Sequence, residues 1–275
     1  MRNYTLRSAK YIAKNFWYLL PFAVLPAFFL SMSLAPEEIN CVVTTLMSGR
    51  INELHFYHLF SAISVLNFAS WESIIYGLIG IVVLVVCVSL MMALLEKHMR
   101  IGKRTFFGIF SKLNDNLIPT AGYTFIMLII YEVWSLLTAV LVLLSAQIPV
   151  VWLAYTLVAI FFIFMHLSLI YVLGLIYLWL PCMQITGFHA GEAFQYSYHL
   201  MSPVKWGILG VQAILLFAVE GVIEFLAVIS LDPVLFTTIT TALYTVLLMI
   251  YCVRMEVAYF DRENITRADL KRKYY

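Results

Sequence analysis

Long uncharged apolar runs dominate the chain. Ile74–Leu95 holds 22 residues without a formal charge, and Phe16–Ala35 and Pro233–Val253 are equally free of charge. About 18 consecutive apolar residues are enough for a helix to cross the hydrocarbon layer. The pattern predicts six spans, at Phe16–Leu34, Ile74–Leu95, Pro119–Ser145, Val150–Leu180, Trp206–Leu231 and Pro233–Val253. Turns fall at Ala146-Gln147-Ile148-Pro149 and Ser230-Leu231-Asp232-Pro233, where a proline cannot continue the helix before it. Val150–Leu180 is long for one crossing and has to tilt or project beyond the bilayer. The fold class that follows is all-α, a polytopic bundle of six transmembrane helices forming a single membrane domain over 1–275.

Amphipathic segments lead into alternate spans. Leu6–Asn15 precedes Phe16-Trp17-Tyr18, Phe106–Leu117 precedes Ile118-Pro119, and His189–Met201 precedes Ser202-Pro203-Val204-Lys205-Trp206. Interfacial helix, span out and span back thus recur three times, which allows three two-helix repeats of one orientation, related by an axis along the membrane normal. Phe106, Phe107, Phe110, Phe194 and Trp206 are the expected interfacial or coupling side chains. Mitochondrial carriers also use three two-span repeats, but their repeated proline–acidic–basic signature is absent and their termini face the other way. Pro36–Ser73 is the sizeable outer segment. Its Leu54, Phe56, Tyr57, Leu59, Phe60, Ile63, Val65, Leu66 and Phe68 predict a helix with a broad apolar face, acting as a structural cap or as a lid over a cavity.

Composition agrees with the pattern, since 63% of residues are hydrophobic and 12% charged. A soluble domain carries roughly 25% charged residues. Charge placement then orients the chain. With both termini in the cytoplasm, 16 of the 17 basic residues face inward and Arg50 alone faces out. Arg2, Arg7, Lys10 and Lys14 precede the first span, and Lys97, Arg100, Lys103, Arg104 and Lys112 fill the loop after the second. Lys205 lies in the next inner loop, and Arg254, Arg262, Arg267, Lys271, Arg272 and Lys273 lie in a cytoplasmic tail, 254–275. The start of the chain also loosely fits a cleaved signal peptide, but its apolar stretch is long for that role. Cys41, Cys87, Cys182 and Cys252 lack CxxC spacing and read as apolar filler. A bacterial cytoplasmic membrane is the expected location.

Four ionisable residues fall inside the spans: Glu132 in the third, His166 in the fourth, Glu220 and Glu224 in the fifth. Such groups are costly in hydrocarbon and mark functional positions by default. Glu220 and Glu224 are four apart, on one helix face, and His166 is the candidate cationic partner at that depth, with Arg254 expected to snorkel to the interface. The four residues can hold neighbouring helices together, line a site for a polar or cationic ligand, or relay protons. Glu53, His55 and His58 are too loosely spaced for a metal site. HExxH, GxSxG and Walker A patterns are absent, so no catalytic residue, metal or cofactor is assigned and a non-enzymatic protein is expected.

The stretch Ala193-Phe194-Gln195-Tyr196-Ser197-Tyr198-His199-Leu200-Met201, followed by Lys205-Trp206, resembles the cytoplasmic helix and span entry of a group of bacterial six-span membrane proteins. Glu256-Val257-Ala258-Tyr259-Phe260-Asp261-Arg262 resembles that group's last-span exit. The group is similar to the membrane domain fused to some glycerophosphodiester phosphodiesterases. The lead-in Asn114-Asp115-Asn116 departs from the pattern, and no phosphodiesterase domain is present, so the resemblance implies architecture rather than activity. Three functional expectations follow. The chain is a small transporter or transport accessory for a lipid-like or polar ligand, a permease subunit of an ATP-driven exporter, or a structural or assembly factor. The expected partners are membrane lipids, with a cytoplasmic ATPase subunit or a second copy of the chain as further candidates, and no nucleic acid.

Overall fold

A computed structural model of the protein describes residues 4–270. Arg2, Lys271, Arg272 and Lys273 lie outside the described residues. The chain is all-α, with six helices long and apolar enough to cross a membrane. The first span is α1 (Tyr4–Met32), in which the amphipathic lead-in and the crossing are two helical segments that meet at a kink at Asn15, whose φ of −122° and ψ of 16° are not helical. An outer segment follows with α2 (Pro36–Met47), a 3-10 turn at Ile51–Glu53 and α3 (Phe56–Ile63). The remaining elements are α4 (Trp71–Ile101), α5 (Ile109–Ala146), α6 (Val151–Leu175), α7 (Trp179–Thr186), α8 (Ala190–Met201), α9 (Lys205–Val228) and α10 (Pro233–Arg262).

Local chemistry sets the boundaries. The Ser70 side chain accepts from the Ser73 amide and caps α4, which ends on Gly102 in the left-handed region, at φ +75°. Asp232 caps α10 by accepting from the Val234 and Leu235 amides, with Pro233 in the first turn, where its missing N–H costs nothing. The predicted span Val150–Leu180 is broken. Helix α6 stops at Leu175, and a short turn leads to α7. In an unbroken helix the Pro181 ring would clash with the Tyr177 carbonyl one turn back. The predicted tail is also revised at its start, because α10 continues through Arg262 and buries Arg254 to Phe260 completely or nearly so.

The six long helices form a ring in chain order, each packed on the next, with α10 closing against α1. Packing is uneven around it. The α1–α10 and α1–α4 seams are the most extensive, whereas α9 touches α6 and α10 lightly. Gly80 permits the α1–α4 approach, since a Cβ there would lie 3.0 Å from Leu30 Cδ2. One end of the ring gathers the basic residues. There Arg7 meets Asp261 at 3.3 Å, Lys112 meets Glu96 at 2.5 Å, Arg104 donates to the Lys14 carbonyl and Arg262 to the Leu200 carbonyl. Under this basic end lies the main core, which includes Tyr11, Met99, Tyr177, Leu178, Leu180, Cys182 and Met255 to Phe260. The Tyr196 phenol of α8 is pushed up to about 12 by a hydrogen bond to Glu263 and by burial, tying α8 to the end of α10.

Exposed tryptophans mark both ends of the apolar band. Trp17 and Trp206 lie toward the basic end, Trp71 and Trp152 toward the far end. Phe106, Phe107, Phe110 and Phe194 are exposed near the basic end as well, and the Phe106 ring also packs on Tyr18. Helix α5 runs from Ile109 into its span without a break, so the second predicted lead-in is not separate, whereas the first is set off by the kink at Asn15 and the third, α8, is a helix of its own.

The outer segment caps the far end. Ile39 of α2 packs with Ile223, Leu226 and Ala227 of α9 and Phe236 of α10, while Ile51, Leu54 and Leu59 pack on α5 and α6. The predicted long helix is shorter than its apolar pattern suggests. It ends at Ile63, and the chain then bends between α4 and α5, where the Val65 carbonyl and Leu66 side chain lie against Gly77 of α4. We expect Gly80→Val to force the α1–α4 seam open and to lower stability by about 1–3 kcal/mol, read as a lower unfolding midpoint in detergent. An unchanged midpoint would show that the seam yields without cost.

Candidate functional site

The four ionisable residues separate into two places. Glu132 of α5 faces the bend that follows α3. Its carboxylate accepts from Ser64 Oγ at 2.7 Å and from the amides of Val65 and Leu66 at 3.1 and 3.0 Å. The two amides lie just past the end of α3, and hydrocarbon offers them no other acceptor. Glu132 therefore pins the outer segment to α5.

His166 of α6 and Glu220 of α9 meet across the lightly packed side of the ring, with Nε2 and Oε2 3.1 Å apart. His166 Nδ1 lies 2.8 Å from the Phe162 carbonyl oxygen one turn earlier. A carbonyl oxygen only accepts, so Nδ1 carries a hydrogen. One further proton then bridges Nε2 and Oε2, and the pair is neutral overall whichever atom holds it. That neutrality is what makes the pair tolerable in a dry interior. The rings of Phe162, Trp134 and Phe217 surround the imidazole with centroids 4.0, 4.8 and 5.3 Å away. Trp134 is itself fixed by donating its indole N–H to the Met165 carbonyl at 2.7 Å.

Glu224 stands one turn beyond Glu220, exposed at the side of α9 and within electrostatic range of both Glu220 and His166. Glu220 lies eight residues before the end of α9 and Glu224 four, so at 1.5 Å per residue they sit about 12 and 6 Å from its far end. Tyr131 of α5 and Tyr244 of α10 are the neutral groups facing Glu220. The arrangement offers one shared proton on a screened pair and a second carboxylate nearer the far surface. It supplies no nucleophile–base pair and, among the described residues, no cluster of metal ligands.

Arg254 does not snorkel. It is buried near the basic end, donating to the carbonyls of Gly207 and Ile208 at 3.3 and 3.1 Å, with the Tyr177 ring beside it. The aromatic enclosure of His166 was missed in the sequence, although Phe162 four residues before His166 and Phe217 three before Glu220 are its helical signal. Tyr131 and Tyr244 carried no comparable signal. Glu256, wholly buried next to Glu96, also went unread.

No protein-family model, no functionally described protein and no solved structure matches the chain. None of them supports the resemblance to the six-span group, and the six-span architecture rests on the helices themselves.

Replacing Glu132 with Ala strands two amides and a hydroxyl. The expected cost is about 3 kcal/mol with faster proteolysis between Ser64 and Ser70, and unaltered cleavage would refute the anchor. For the second site, a double-mutant cycle of His166→Ala and Glu220→Ala should give a coupling of about 1–2 kcal/mol in unfolding. Strict additivity would mean that the two side chains do not interact.

Proposed function

We propose that the protein is a small membrane transporter exchanging a cation for a proton, with Glu220 and Glu224 as the binding carboxylates and His166 as the proton holder. The observation that supports it most is the neutral His166–Glu220 pair placed on the lightly packed side of the ring, with Glu224 open beside it. A cation that settles between Glu224 and Glu220 competes with the imidazole for the same carboxylate. Once the carboxylate is engaged, the bridging proton loses its anionic partner and leaves. Binding and proton release are thereby linked through one group, which is the condition for exchange. Helix α9 is the element suited to move, since its neighbours hold it least. The basic end is assigned to the cytoplasm by the asymmetry of Lys and Arg, and a bacterial cytoplasmic membrane fits the short loops.

A permease subunit served by a cytoplasmic ATPase is the second reading. Exposed Phe106, Phe107 and Phe110 at the basic end favour it, while the unbroken run from Ile109 into α5 leaves no separate coupling helix.

The test is proton flux in liposomes holding the purified protein and a pH-sensitive dye, challenged with alkali-metal and organic ammonium cations. At least one cation should drive proton release, and Glu220→Gln and Glu224→Gln should abolish it while the protein stays folded. Flux that survives both substitutions, or none from any cation, removes this reading in favour of a scaffold.

A further inference from the structure

Where α6 breaks at Leu175 and the chain turns into α7, α5 and α6 part on the membrane-facing side. The result is an open groove of about 480 Å³, lined by Ile126 and Ile130 of α5, Val172 and Leu175 of α6, Trp179 of α7 and Phe194 of α8. It belongs neither to the His166–Glu220 pair nor to the outer segment held by Glu132. We propose that this groove binds one acyl chain of a phospholipid from the leaflet at the basic end.

Three observations select that occupant. The lining is hydrocarbon and aromatic throughout, and the indole N–H of Trp179 is already used by the Ala190 carbonyl at 2.9 Å. Water entering the groove would find no side-chain partner, and apolar cavities of this kind stay dry. The groove also sits at chain depth. Ile126 and Ile130 lie seven and eleven residues past Pro119, and α8 closes the groove toward the basic end, at the level of the interfacial aromatics. Size excludes a protein helix, because one turn with its side chains, 10–12 Å across and 5.4 Å long, fills about 420–610 Å³. The groove would seat a single turn, too little for a helix pair, whereas a flexible chain can follow it lengthwise.

Charge complementarity gives the headgroup its place. The start of α8 borders the groove at Ala190 and Gly191, and His189, the residue before it, makes no side-chain cap. The first turn of α8 borders the mouth and carries both free amides and Glu192, which suits a zwitterionic headgroup whose phosphate meets the amides and whose ammonium meets the carboxylate. Gly191 leaves this edge open, since a Cβ there would meet nothing within 4 Å. The proposal stands on the membrane assignment and not on the exchange reading.

The experiment uses the full chain in lipid nanodiscs of phosphatidylethanolamine and phosphatidylglycerol. A phospholipid carrying a photoactivatable group on its acyl chain is added, and the crosslinked residues are mapped. Crosslinks should concentrate on Ile126, Ile130, Val172 and Phe194 over the more exposed Ile160 and Phe164. Val172→Trp at the mouth, or Gly191→Phe at the open edge, should lower the crosslinks on the remaining lining residues several-fold and leave those on Ile160 and Phe164 unchanged. Using two variants with matched unfolding midpoints guards against misfolding. Crosslinks spread evenly over the bundle, or indifferent to both substitutions, would reduce the groove to ordinary lipid contact and overturn the proposal. Protein–protein crosslinks through the groove would overturn it in favour of a second copy. Repeating the mapping with a free fatty acid probe and with each headgroup in turn tells a phospholipid from a free chain. Glu220→Gln should leave the pattern intact, which separates failure of this site from failure of the exchange site.

Discussion

Hydrocarbon offers no hydrogen-bond partner, and most polar groups this chain carries into the bilayer are answered from within the chain, with Gln212 Oε1 and Thr241 Oγ1 among the exceptions. The consequences recur through the molecule. Thr120, Thr138, Ser145 and Thr245 each donate to the carbonyl one turn back. Arg254 places its guanidinium on two carbonyls at the start of α9, Glu132 gathers a hydroxyl and two amides just past the end of α3, and His166 satisfies both ring nitrogens. Removing one member of any of these sets leaves the other without water to replace it. Their cost is therefore felt by whole helix contacts rather than by single side chains.

Packing divides the bundle into a firm part and a loose one. Helices α1, α4 and α10 share close seams and a core at the basic end that also takes in α7. Helix α9 is held mainly by a ring pair to α6, an arginine from α10 at its start and the outer helix α2 near its end. The His166–Glu220 pair lies in this looser part. A polar pair contributes a larger share of the contact where apolar area is small, so protonation chemistry there has leverage over how α9 sits. The same pair between α1 and α10 would be one contact among many.

Glu132 and Glu220 show how far a sequence reading reaches. Both are carboxylates within apolar helices, with no local residue to distinguish them. Their roles differ because of what crosses in front of each. For Glu132 it is residues 64–66, nearly seventy positions away in the chain, and for Glu220 it is His166 on another helix. The break before α7 had a local signal in Pro181 that the apolar run concealed. The burial of Arg254 had none, since a basic residue at a span end reads the same whether it reaches to headgroups or folds against a neighbour.

The order of apolar and charged residues by itself determined the number of crossings, their approximate places, the gathering of basic residues at one end and the presence of ionisable groups at depth. These follow from transfer free energies, which each segment pays largely alone. Only the tertiary structure decided which ionisable groups meet, that the outer segment folds back onto Glu132, and that a groove opens beside the broken helix. Those outcomes depend on contacts between segments far apart in the chain, and within lipid such contacts are chosen by shape and hydrogen bonding, to which hydropathy is blind.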